Sequence, residues 1–141
     1  MVDALLTAKR ETAEKQCVVC KWHIELPPKL PLSMMELVAF LGNAIDNAIE
    51  ACQAVDAEKY IAVTLRVENN VLLCEITNPF SKQPITANDT LITTKPNAQQ
   101  HGVGLRSMQA DCMKMNGQMS YSYDDGVFEL RMLAPLPESV G

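Results

Sequence analysis

No stretch of this 141-residue chain approaches the roughly 20 consecutive apolar residues that cross a bilayer. Basic residues are the minority charge. Twelve Lys and Arg stand against 17 Asp and Glu, and the net charge of -5 argues against a nucleic-acid backbone as the main partner. The first residues, MVDALLTAKRETAEK, lack an apolar signal core and do not read as a signal peptide. Internal repeats, low-complexity tracts and interdomain linkers are missing too, so a single domain is expected. Cys17 and Cys20 form a lone CxxC with no second pair and no His-x-His near it, which gives little support to a zinc site or a redox pair. The five Cys are odd in number and Cys52 falls in a helical pattern, which suits thiols used as small hydrophobes in a reducing compartment. What remains is 48% hydrophobic and 21% charged, the balance of a soluble domain with a core.

Periodicity and punctuation place the elements. Residues 3–16 read as a helix and CVVCKWHIELP, 17–27, as a strand rich in β-formers. PPKLP interrupts, and Ser33 with Glu36 forms a capping-box pattern for a helix over about 34–55. Residues 60–78 hold two strands with Glu68-Asn69-Asn70 as the turn between them. Residues 79–100, with three Pro and many turn formers, read as a long loop of the kind that is functional or disordered. A helix over 103–115 and a hairpin split at Asp124-Asp125-Gly126 complete the chain. The expected fold is α+β: a two-layer sandwich whose mixed, mostly antiparallel sheet is covered on one face by helices.

The second helix carries LGNAIDNAIEAC. At about 100° per residue, Leu37, Leu41, Ala44, Ile45, Ala48, Ile49 and Cys52 gather on one side, and Glu36, Asn43, Asn47 and Glu50 form a strip on the other. Asn is a mediocre helix former, poorer than Lys or Gln on a solvated face. Either the strip is simply solvated, or it serves a ligand. An Asn carbonyl oxygen suits Mg²⁺, and an Asn amide suits phosphate. A second motif, HGVGL over 101–105, opens the 103–115 helix. Its two Gly either end a loop, or let backbone N–H groups approach a phosphate at the positive end of the helix dipole. It fits neither GxxxxGK[ST] nor GxGxxG.

Together the two motifs resemble a family. LGNAIDNAIEAC is similar to the N-box, and TTKPNAQQHGVGL to the G2-box, of the GHKL ATP-binding superfamily of histidine kinases, type II topoisomerase ATPase subunits, Hsp90 chaperones and MutL repair proteins. The likeness runs from about residue 4 to 134 and is greatest to kinases of the peptide quorum-sensing receptor group of Gram-positive bacteria. It implies a Bergerat fold over residues 17–137, binding ATP and Mg²⁺, with 1–16 as the remnant of a dimerisation helix. It implies Asn47 as the Mg²⁺ ligand and Asn43 near the phosphates. Glu50 stands where many kinases carry Lys; it orients a metal-bound water or is solvated. The resemblance further implies that Thr94, Lys95 and His101 belong to a mobile lid, and Gly102, Val103, Gly104 and Leu105 to the phosphate-binding G2 segment. The implied partners are the dimerisation and His-phosphotransfer domain of the same receptor and, indirectly, a response regulator. The implied setting is the cytoplasmic part of a membrane receptor, with no nucleic acid and no direct membrane contact.

The chain departs from the family pattern in one place. Most members carry DxGxG after the strand that here ends at Thr77; this chain has NPFSK, with Asn78 in the Asp position. An Asn carbonyl still accepts from the adenine amine, more weakly than a carboxylate. Phe80 either stacks there or packs in the core. Of the two His, His101 belongs to the G2-box, and His23 in KWHIELP reads as a partly buried structural residue, so no phosphoacceptor is expected in this chain. The rival readings are a GHKL ATPase, which usually places a Glu base where Asn43 stands, and a degenerate module used only for docking.

Overall fold

The computed structural model describes residues 2–32, 34–56, 58–80 and 106–137. Helix α1 spans Val2–Glu14, strand β1 Val19–Glu25, helix α2 Met34–Gln53, strand β2 Tyr60–Glu68 and strand β3 Val71–Pro79. Residues 106–114 are helical, α3, and strands β4 (Gln118–Asp124) and β5 (Val127–Pro135) follow. The sheet order is β1-β2-β3-β5-β4; β1 pairs parallel with β2, and every other pairing is antiparallel. The expected mixed, mostly antiparallel sheet under a helical layer is the observed fold.

The turns follow from residues that tolerate positive φ. Asn69 (φ 53) and Asn70 (φ 64) join β2 to β3, and Asp125 (φ 52) and Gly126 (φ 77) join β4 to β5; both are two-residue turns of the kind whose twist matches a hairpin. Helix α1 ends with Cys17 at φ 63, where Val18 N–H reaches Ala13 O and Cys17 N–H reaches Glu14 O. Helix α3 ends the same way: Asn116 has φ 57, and Gly117 N–H reaches Cys112 O at 2.8 Å. Both are Schellman closures, which satisfy carbonyls the helix leaves orphaned. Gly117 is required by space, because a Cβ there would lie 2.8 Å from Leu133 O and 3.1 Å from Cys112 Sγ.

One face of the sheet is buried. Ile61, Val63 and Leu65 of β2, Leu72, Cys74 and Ile76 of β3, and Leu130, Met132 and Ala134 of β5 meet α2 through Leu37, Leu41, Ile45 and Cys52. Val2, Leu6 and Ala13 of α1, and Met108 and Cys112 of α3, join the same core. Lys9 Nζ bonds Asp46 Oδ1 at 2.7 Å and ties α1 to α2. The outer face is polar: Glu75 Oε2 takes bonds from Arg131 Nε (2.9 Å) and Nη2 (2.6 Å).

Three differences from sequence expectation have physical reasons. The first helix stops at Glu14 and the second at Gln53, because the final turns are taken up by closing bonds and a bend. His23, expected partly buried, is exposed: β1 turns Cys20, Trp22 and Ile24 inward and Lys21, His23 and Glu25 outward. Ser33, the expected cap of α2, lies outside the described residues. The Asn strip flanks the buried arc of α2 instead of opposing it, because Phe40, fully buried, widens that arc toward the strip.

Candidate functional site

The alternation of β3 sends Leu72, Cys74 and Ile76 to the covered face, and its period of two delivers Asn78 to that face as well. Asn78 is 1% exposed and is the buried polar side chain among the described residues. Its Nδ2 donates to Pro79 O at 2.8 Å, leaving Oδ1 as the acceptor. An amide held among apolar side chains is costly unless its bonds are made, at about 1–3 kcal/mol for a group left unsatisfied. A lone buried Asn at the end of an otherwise apolar strand face therefore marks a position kept for a reason other than packing.

Helix α2 faces this amide with Ala44, Asn47, Ala48 and Ala51, whose spacing puts them on one stripe of the helix. Between the two elements is a cavity of about 40 Å³, closed by Ile76, Leu130 and Phe128 of the sheet, by Phe80, and by Met108 of α3. Alanines on the helix side leave a flat wall, and the sheet side is aliphatic and aromatic. Phe80 N–H donates to Gly126 O at 2.7 Å, which pins the end of β3 to the β4–β5 turn. The Phe80 ring lies 5.7 Å from Phe128 and 6.0 Å from Tyr123. Phe80, half-buried, packs in this aromatic cluster and lines the cavity.

Among the described residues no charged side chain lines the cavity, and Asn47 and Asn78 are its polar members. They offer two amides set in an apolar shell, an arrangement that orients a flat polar group by hydrogen bonds. The cavity is water-sized, so a larger ligand has to displace a side chain to enter it. Met108 is the adaptable wall, an unbranched thioether with three rotatable bonds.

The two amides of the cavity are the sequence-predicted residues that come together. Asn43, half-buried, lies one turn before Asn47 on α2, and Glu50 is exposed on the same helix; neither lines the cavity. Thr94, Lys95, His101, Gly102, Val103, Gly104 and Leu105 lie outside the described residues. Sequence reasoning missed the walls: Ala51, Ile76, Met108, Phe128 and Leu130. Ala44 and Ala48 were legible only as core. The run Ala44, Ala48, Ala51 beside Asn47 was the available signal, since three small residues on one stripe leave space that larger neighbours would fill.

Among the described residues, three helices over a mixed five-stranded sheet, with an amide-bearing cavity between α2 and β3, define an α+β two-layer domain. The model of the GHKL domain family matches residues 32–135, and the chain belongs to that family. Its fold is that of histidine kinase catalytic domains. It is similar to the Acinetobacter baumannii histidine kinase AdeS (14% identity, TM-score 0.67), with 97% of this chain and 66% of that one covered. It is similar to the mycobacterial sensor histidine kinase MprB (16% identity, TM-score 0.67), with 97% and 95% covered. Full-length ShkA, solved in complex with AMPPNP, matches at 15% identity and TM-score 0.69, with 100% of this chain and 31% of that one covered. This chain thus spans just under two thirds of the AdeS chain and less than a third of the ShkA chain. No curated protein matches it in sequence.

Proposed function

We propose that the chain is the ATP-binding catalytic domain of a two-component sensor histidine kinase, which donates the γ-phosphoryl of ATP to a His on a separate dimerisation domain. The carrying observation is the buried Asn78 amide, its Oδ1 left as acceptor, on the wall of the cavity that Asn47 also lines. The residues present fit an adenine base: flat alanine and aliphatic walls, aromatic rings, and the Asn78 acceptor at the end of the strand face.

On this reading Asn78 accepts from the adenine amine, and Asn47 offers its side-chain oxygen, a hard ligand, to Mg²⁺. Asn43 lies beside the phosphates, with Glu50 a turn beyond Asn47 on the same strip. Thr94, Lys95 and His101 to Leu105 complete phosphate binding, Lys95 as a point charge and HGVGL through backbone N–H groups. ATP supplies the phosphoryl group, and Mg²⁺ neutralises its charge. NPFSK in place of DxGxG supports membership of the peptide quorum-sensing receptor kinases of Gram-positive bacteria. Among the described residues no helix is long and apolar enough to cross a membrane, consistent with the cytoplasmic part of such a receptor. The response regulator is then an indirect partner. An amide at Asn43 cannot deprotonate water, and general-base help is worth about 10²–10⁴ in rate, so ATP is held without hydrolysis.

The test is radiolabel transfer from ATP to a purified dimerisation segment, beside phosphate release by residues 1–141 alone. Transfer only when the His-bearing segment is added, with negligible release, is expected. Asn47→Ala should weaken Mg-ATP binding at least tenfold, about 1.4 kcal/mol, at unchanged melting temperature. Turnover of about 1 s⁻¹ by the chain alone would favour an ATPase.

A further inference from the structure

The sheet has two free edges among the described residues, and they are treated differently. Strand β1 carries Lys21 and Glu25 along its outer face, charges that discourage a second sheet from pairing with an edge. Strand β4, QMSYSYD, carries no charge before Asp124, no Pro and no bulge, and it pairs with β5 in unbroken register.

The register says which backbone groups the β4 edge presents. The two-residue turn at Asp125-Gly126 closes on Asp124 and Val127 as a hydrogen-bonded pair. Alternation then makes Ser122–Glu129, Ser120–Arg131 and Gln118–Leu133 the other bonded pairs. Met119, Tyr121 and Tyr123 sit opposite Met132, Leu130 and Phe128 in the non-bonded positions, so their N–H and C=O groups point away from β5. Among the described residues no strand lies beyond them.

We propose that this edge pairs with the same edge of a second copy of the chain, antiparallel and centred on Tyr121, joining two five-stranded sheets into one. The strand is self-complementary in that register. Tyr121 opposes its own copy as a bonded pair, Met119 opposes Tyr123, Ser120 opposes Ser122, and Gln118 opposes Asp124. No like charges meet, and each Asp124 carboxylate faces a Gln118 amide. The equivalent pairing of β1 about Trp22 would set Lys21 against His23 and Val19 against Glu25. Tyr121 is 41% exposed although its ring lies 5.8 Å from Phe128; the two-fold would cover it with the other Tyr121. The interface is isologous and closes at two copies. It is small, one strand from each copy, so it is concentration-dependent.

Sedimentation velocity over a wide concentration range tests it. The intact chain should pass from monomer to dimer as concentration rises. Tyr121→Pro removes one outward N–H and no β4–β5 bond, a substitution an edge strand accepts, and should stay monomeric. Tyr121→Lys, which places like charges across the two-fold, should also stay monomeric at the parent's melting temperature. Tyr121→Cys in a Cys17→Ser background, which removes the exposed thiol, should cross-link to a dimer with a short bis-maleimide, because a bonded antiparallel pair spaces Cα atoms about 5.5 Å apart, within reach of such a spacer. A chain that stays monomeric at every concentration, a dimer that survives folded Tyr121→Lys, or a Tyr121→Cys variant that does not cross-link would overturn the proposal.

Discussion

Asn47 of α2 and Asn78 of β3, distant in sequence, line one cavity from opposite layers of the fold. Their environments differ. Asn47 is half-buried at the rim of the helix stripe, whereas Asn78 is closed off from solvent with its Nδ2 fixed on Pro79 O. The first is placed to exchange water for a ligand at little structural cost. The second is already oriented, so binding spends no side-chain entropy on it.

Asn78→Asp tests the orientation of that amide. The carboxylate of the variant has no hydrogen to give to Pro79 O, and burial raises its pKa. Ionised, it faces a carbonyl oxygen; protonated, it restores the bond. The folded-state pKa is raised, so stability is present at low pH and lost as pH rises through the normal Asp range of about 3.9 and above. Thermal melts without ligand should show a deficit against the parent at pH 7 that shrinks as the pH falls toward 4. A constant deficit would mean that the Asn78 bond is not the cause.

Much of the fold was legible because local signals agreed. Alternation in 60–78 and the Asn-Asn and Asp-Gly turns set two hairpins, and the Leu, Ala and Ile stripe set α2. Asn47 and Asn78 were legible through the motifs around them, but their meeting was not, because it depends on strand order and on which face of β3 is covered. Met108 and Phe128 carried no local sign of lining a cavity; each reads as core in its own element. His23 was misjudged although the signal was there: Lys21, His23 and Glu25 alternate with Cys20, Trp22 and Ile24, which puts His23 on the polar face. The G2 residues, Thr94 to Leu105, rest on the motif alone.

Gly117→Ala should destabilise the domain by about 1–3 kcal/mol, the usual cost of forcing extra volume into a packed site. The added Cβ would lie 2.8 Å from the backbone oxygen of Leu133, which cannot swing aside as a side chain can. Chemical denaturation should show a lower midpoint with unchanged slope. Asn116→Gly, at the neighbouring positive φ, should be neutral or mildly stabilising, which separates the space at 117 from the turn conformation at 116.

Alkaline titration reports on the buried thiols. Burial pushes Cys74 up to about 12, with the charge of Glu75 adding to it, and burial likewise raises Cys20, Cys52 and Cys112. In the unfolded chain these thiols ionise near pH 9.0. Between that value and about 12 the unfolded state loses a proton that native Cys74 keeps, so stability is full below pH 9.0 and falls as the pH rises through the window. Cys74→Ala should flatten the part of that slope due to this thiol, up to about 1.4 kcal/mol per pH unit. With the native chain at pH 8, a thiol reagent should react at Cys17, which is exposed, and reach the other four only on unfolding.

Calorimetric titration of the chain with ATP and GTP, each with and without Mg²⁺, and of Asn78→Ala with ATP, bears most directly on the site. Adenine presents an amine to Asn78 Oδ1, whereas guanine presents a carbonyl oxygen at the same place. The expected result is ATP binding at least tenfold tighter than GTP, strengthened by Mg²⁺, with the preference lost in Asn78→Ala. Equal affinity for the two nucleotides, or no heat with either at saturating concentration, would contradict the assignment of this cavity to adenine.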